Sequence, residues 1–95
     1  MFEPSMAEQK KQRQKAKELK KSRWWANLTQ SCACYYCQKP LDANTVTMDH
    51  IVPISRGGKS QRSNLVPACH ACNHQKRSLT PVEWLDFIEN KLEKH

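Results

Sequence analysis

Two matched cysteine pairs and one adjacent acid and histidine carry the most evident chemistry in this 95-residue chain. Cys34 and Cys37 stand two residues apart, and so do Cys69 and Cys72. That spacing lets both thiolates of a pair reach one tetrahedral ion, and two such pairs complete a zinc shell. Four thiolates leave no open position for a substrate, so a zinc held this way is structural. The fifth cysteine, Cys32, is the odd one out and is expected to be a free thiol. Between the pairs Asp49 and His50 sit side by side. A histidine, with an ordinary pKa near ~6.5, can exchange a proton around neutral pH. Neighbours on a strand point to opposite faces, so the two residues need not compete for one task.

Short elements must position these groups. Thr45-Val46-Thr47-Met48 alternates and is β-branched, which predicts a strand delivering Asp49 and His50 at its end. Val52-Pro53-Ile54 then leaves the strand, and Gly57-Gly58 supplies a turn open to positive φ. A polar loop over 60–63 leads into a second short strand over 64–67, and a helix over 71–76 is expected to pack across the hairpin with Asn73 on its first turns. The 31 residues between the cysteine pairs exceed the roughly 15–20 of an ordinary zinc ribbon, so this segment must hold structure of its own. A last helix is expected over 80–94: Thr80 is its N-cap, Pro81 its first-turn proline and Glu83 the capping-box partner. Leu85, Ile88 and Leu92, with Trp84 beside Ile88, predict a buried stripe. Its outer face is acidic and points to core packing rather than to a polyanion.

Composition sets the limits. Hydrophobic residues make up 38% of the chain, which implies a thin core that needs a staple, here a metal. No secretory leader and no apolar run of roughly 20 residues is present, so a soluble, cytoplasmic protein without membrane contact is expected. The net charge is +7 and uneven. Residues 1–30 hold eight Lys/Arg against three Glu, residues 31–81 six against two Asp, and residues 82–95 two against four acids. A polyanionic partner follows, nucleic acid being the commonest. Residues 5–29 read as a basic helix or a disordered arm, with Ser5 and Glu8 fitting a capping box. No apolar residue lies between Glu8 and Lys15, so that part is expected to be solvated or frayed until an anion binds it. Trp24, Trp25 and Leu28 share one side of a helix and are read as the point where the arm docks on the core.

The string Cys-x2-Cys, Asp-His-Ile-Val-Pro-x3-Gly-Gly, Asn-Leu-Val-x2-Cys-x2-Cys-Asn over residues 34–77 resembles the HNH endonucleases, of the ββα-metal fold. Where the motif name has its last histidine this chain has Asn73. The resemblance implies that Asp49 and Asn73 hold a divalent cation through oxygen, and hard oxygen ligands suit Mg²⁺ or Mn²⁺. It implies that His50 activates the attacking water and that Asn64 pins the loop that orients His50. His74, next to Asn73, is a competing metal or phosphate ligand; Arg56, Lys59, Lys76 and Arg77 are candidate phosphate contacts that position DNA rather than read it.

The expected protein is therefore α+β: a small ββα-metal domain over 31–95, stapled by one zinc on four cysteines, with a basic N-terminal arm over 1–30 and a C-terminal amphipathic helix. The expected activity is metal-dependent hydrolysis of DNA phosphodiesters with weak intrinsic sequence preference. Two alternatives stand beside it: a zinc-stabilised nucleic-acid-binding module without catalysis, and a nuclease subunit of a restriction or phage-type assembly that is active only with its partners.

Overall fold

The computed structural model describes residues 3–93. Helix α1 (Met6–Lys20) and the short α2 (Arg23–Thr29) lead into a two-residue hairpin of β1 (Cys32–Ala33) and β2 (Pro40–Leu41). A longer antiparallel hairpin of β3 (Val46–His50) and β4 (Leu65–Cys69) follows, then α3 (His70–Lys76) and α4 (Pro81–Glu93). The α+β architecture expected from the pattern is present.

The register of the larger hairpin sets the site. Val46 faces Cys69 and His50 faces Leu65, so the end of the strand that carries Asp49 and His50 also opens the loop over 51–64. Asp49 and His50 lie within β3 rather than beyond it. The cysteine pairs meet at the other end, where Cys34, Leu41, Ala68 and Cys69 form the buried core, with Tyr36 and Val46 packed against it. This core is thin, as the low apolar content implies.

The loop over 51–64 is fixed by two glycines and one asparagine. Gly57 ends a 3-10 turn over Ile54–Arg56 at φ 93, where a side chain would be strained. A Cβ on Gly58 would stand 1.7 Å from the Val52 carbonyl oxygen, so only glycine fits there. Buried Asn64 closes the loop: its Oδ1 accepts from Val52 N at 2.9 Å, and its Nδ2 donates to Val52 O at 3.0 Å and Lys59 O at 2.9 Å.

Two expectations about the helices are corrected. Helix α1 starts at the Ser5 cap as read, with Glu8 N donating to Ser5 Oγ, but it is neither frayed nor wholly solvated. Gln12 is 4% exposed and inserts into the loop over 51–64, and Glu8 pairs with Lys59 at 2.9 Å. Docking here is polar, so the absence of an apolar face did not decide it. In α2, Trp25 and Thr29 are buried, Arg62 lies 5.5 Å above the Trp24 ring, and Leu28 remains exposed. At α4 the capping box forms: Thr80 N donates to Glu83 Oε1, and Glu83 N to Thr80 Oγ1. Trp84 is the buried anchor, edge-on to Tyr36 at 5.4 Å, whereas Leu85 is 61% exposed. About 100° of helix separates neighbouring residues, so burying Trp84 carries Leu85 out of the core. The side chain of Leu92 lies outside the described residues.

Candidate metal centre and active-site cleft

At the cysteine end the Sγ atoms of Cys34, Cys37, Cys69 and Cys72 all lie within 4.8 Å of one another, with Cys37 and Cys69 at 3.8 Å. A tetrahedral ion with Zn–S bonds of about 2.3 Å requires sulfurs about 3.8 Å apart, so the set fits one ion. The local fold presents the sulfurs. Gln38 at φ 66 turns the first pair back, and Cys69, as N-cap of α3, accepts from Cys72 N at 3.3 Å. Burial opposes ionisation of Cys34, but backbone amides of Cys37, Cys69 and Tyr36 outweigh it and bring its thiol down to about 7. Burial and the neighbouring sulfurs push Cys72 up. A dication at the centre is what allows four crowded thiols to be thiolates together. Cys32 stands outside this cluster and packs on the core.

The second centre is a cleft of about 310 Å³ whose lining includes Asp49, His50, Asn73, Arg13 and Arg77. Asp49 is buried, and its partners lie beneath it. Tyr36 donates its hydroxyl to Asp49 Oδ2, and Lys76 Nζ stands 3.2 Å from the same oxygen. Among the described residues no group hydrogen-bonds Oδ1, which stays available to a ligand in the cleft. Burial and the bond to Asp49 hold Tyr36 as the protonated phenol. Asn73 is oriented from β3: its Nδ2 donates to Thr47 Oγ1 at 2.8 Å and to Met48 O at 3.4 Å, so its Oδ1 is left as acceptor. One carboxylate oxygen and one amide oxygen, with open space for waters and a phosphate, suit a hard divalent cation.

His50 is half-buried and shares the cleft lining with Asp49, and its Nε2 lies 2.9 Å from Ser60 Oγ. Burial lowers its pKa below the ordinary 6.5; Asp49 opposes that shift and Lys76 adds to it. The ring is therefore neutral, and a proton acceptor, at neutral pH.

The other candidates separate. Arg77 lines the cleft and ends α3 at φ 46, an unusual backbone for a non-glycine residue. Arg56 is paired with Glu83 at 2.8 Å and Lys59 with Glu8, both at the surface. Lys76, read from sequence as a phosphate contact, is wholly buried and also donates to the His50 carbonyl at 3.0 Å. Its place is under the strand, holding Asp49. His74 is exposed, stacks with His70 at 6.3 Å and lies off the cleft. Asn64 is in the loop scaffold and not on the cleft wall.

Tyr36, Thr47, Ser60, Gln12 and Arg13 were not singled out by sequence reasoning. For Gln12 a signal existed: Gln9, Gln12, Ala16 and Leu19 form an at least half-buried stripe of uncharged residues between lysines. Tyr36 acts through one long-range hydrogen bond and Thr47 through two, for which the sequence carries no periodicity. Replacing Lys76 with methionine is expected to leave Asp49 buried without a cation and to cost about 3–5 kcal/mol. Urea unfolding in the absence of added divalent ions reads this directly.

Residues 34–84 match the profile described as HNH endonuclease. The chain is also similar to two proteins named CRISPR-associated endonuclease Cas9. That of Corynebacterium diphtheriae is 41% identical over 56 residues, and that of Actinomyces naeslundii 39% over 56 residues. In each case the match covers 58% of this chain and 5% of the relative. The chain therefore spans a small part of the length of these relatives.

Proposed function

The chain belongs to the HNH endonuclease family, a nuclease family acting on nucleic acid, and from that premise we propose that it hydrolyses DNA phosphodiesters at the Asp49–His50–Asn73 cleft. The observation that carries this reading is the convergence, in one open hollow, of a neutral histidine, a free carboxylate oxygen and a free amide oxygen, with two arginines beside them.

The residues divide the work. Asp49 Oδ1 and Asn73 Oδ1 would hold a Mg²⁺ or Mn²⁺ ion, which would supply charge neutralisation at the phosphate and at the departing 3′-oxygen. Tyr36 and Lys76 keep the Asp49 carboxylate in place from below. Arg13 and Arg77 grip the phosphate oxygens from α1 and from the end of α3. His50 takes the proton of the attacking water as its oxygen bonds to phosphorus and the bond to the 3′-oxygen breaks. The 3′-oxygen leaves with the bonding pair and takes a proton from solvent water, so the products are a 3′-hydroxyl and a 5′-phosphate, and His50 returns its proton to solvent. The four-cysteine centre would hold Zn²⁺ as a structural ion, since four thiolates leave no open position for substrate.

The basic face of α1 continues from Arg13 through Lys10, Lys17 and Lys20, and holds the duplex through backbone phosphates with weak sequence preference. A second reading has one specific support. Both similar proteins are named CRISPR-associated endonucleases, which fits a cleavage unit that works with a partner in a CRISPR, restriction or phage-type system.

The metal assignment is tested with Asn73→Ala. The Mn²⁺ concentration for half-maximal cleavage is expected to rise at least ~10-fold, and direct Mn²⁺ binding to weaken in parallel. An unchanged metal requirement would take Asn73 out of the ligand set.

A further inference from the structure

The face of His50 away from the cleft is held by a chain of groups that begins on the N-terminal helix. Ser60 is 1% exposed and Gln12 4%, so neither exchanges these partners for water. Ser60 N donates to Gln12 Oε1 at 2.6 Å, and Ser60 Oγ donates to the backbone carbonyl of Gln12. Gln12 Nε2 in turn donates to Glu8 Oε1 at 3.0 Å, and Lys59 Nζ donates to the same oxygen at 2.9 Å. Asn64 fixes the Lys59 carbonyl immediately before Ser60. Every link from α1 to His50 is thus spoken for.

Proton accounting then settles the imidazole. A serine hydroxyl has one proton to give, and a carbonyl oxygen can only accept. The Ser60 proton lies on the bond to Gln12 O, so Ser60 Oγ meets His50 Nε2 with a lone pair at 2.9 Å. That nitrogen must carry the hydrogen, which leaves Nδ1 as the unprotonated one.

We propose that Ser60, anchored by Gln12 of α1, is a positioning residue that fixes neutral His50 as its Nε2–H tautomer and presents Nδ1 to the attacking water. The assignment rests on the reading of His50 as the base, and it makes the N-terminal helix part of the catalytic apparatus as well as a basic surface. It parallels the way an oriented hydrogen bond fixes the tautomer of other catalytic histidines, where the wrong tautomer costs activity while leaving geometry intact.

The test pairs ring ¹⁵N NMR with kinetics on the full, zinc-loaded chain. In the wild type, long-range ¹H–¹⁵N spectra above the His50 pKa are expected to show Nε2 protonated and Nδ1 bare. In Ser60→Ala the ring is expected to become a mixture of tautomers. The same variant is expected to lose roughly tenfold to hundredfold in kcat, part of the roughly 10²–10⁴ that a positioned base supplies, with KM for DNA and Mn²⁺ affinity unchanged. Gln12→Ala, which removes one of the two anchors of Ser60, is expected to show a smaller change of the same kind. A wild-type ring protonated on Nδ1, or a folded Ser60→Ala protein with unaltered tautomer or unaltered kcat, overturns the assignment. The wild-type spectrum needs neither DNA nor cleavage, so it decides the tautomer even for a chain that cuts nothing.

Discussion

Cys34→Ser is expected to abolish the cooperative fold and to drop the bound zinc well below one ion per chain. The cluster at the cysteine end is a few residues deep and is built around the sulfurs: Cys34 and Cys69 are two of its four buried members, with Leu41 and Ala68. Two small apolar neighbours cannot replace the ion. Structural zinc in small domains contributes about 10–16 kcal/mol, whereas whole domains of this class are stable by only about 5–15 kcal/mol. Losing one thiolate of four therefore removes a large share of the total. Circular dichroism melts with metal analysis on the same samples are the measurement. Cys32→Ser is the control, since its sulfur is outside the cluster, and should keep one zinc and melt close to the wild type. Equal loss in the two variants would contradict the assignment of ligands.

The second large effect is on rate. His50→Ala is expected to cut single-turnover cleavage by about 10²–10⁴-fold while leaving DNA affinity unchanged, because the ring moves a proton and makes no phosphate contact in this account. At about 1.4 kcal/mol per tenfold, that is the range of a lost general base rather than of a lost binding contact. The pH profile of the wild type follows from the same residue. Burial holds the His50 pKa below 6.5, so the basic form persists further into acid than for an exposed histidine. Activity should therefore hold at neutral pH and fall only as the pH drops through a value below 6.5, and the variant should lack that limb. An acid limb above 6.5 would mean that another group limits the rate.

These effects also show what the sequence could reveal. The cysteine pairs, the strand ending in Asp49-His50, the Gly57 turn and the Thr80–Glu83 cap are all local: each is written in residue types at fixed short spacings, and each is present in the fold. Helix α1 has no apolar face to read. Its uncharged stripe from Gln9 to Leu19 marks which face docks, but the partners of Gln12 and Glu8 lie about 50 residues away, and no periodicity names them. Lys76 misled for a related reason. A lysine on a basic chain near a phosphate site reads as a surface cation, and only the packing of α3 under β3 places it beneath Asp49. In α4 the apolar pattern was real, but Trp84 took the buried place against Tyr36, and the helical step of about 100° turned Leu85 outward.

Cleavage at the Asp49–His50–Asn73 cleft is read from supercoiled plasmid incubated with the zinc-loaded wild-type protein in Mg²⁺ or Mn²⁺, in chelator, and beside His50→Ala. Conversion to open-circular or linear DNA is expected only with the divalent ion and the intact histidine, with both proteins binding the plasmid equally. If wild type and variant both bind and neither cuts with any divalent ion, the chain is a nucleic-acid-binding module or works only within a larger assembly, and the cleft is not an active site in its own right.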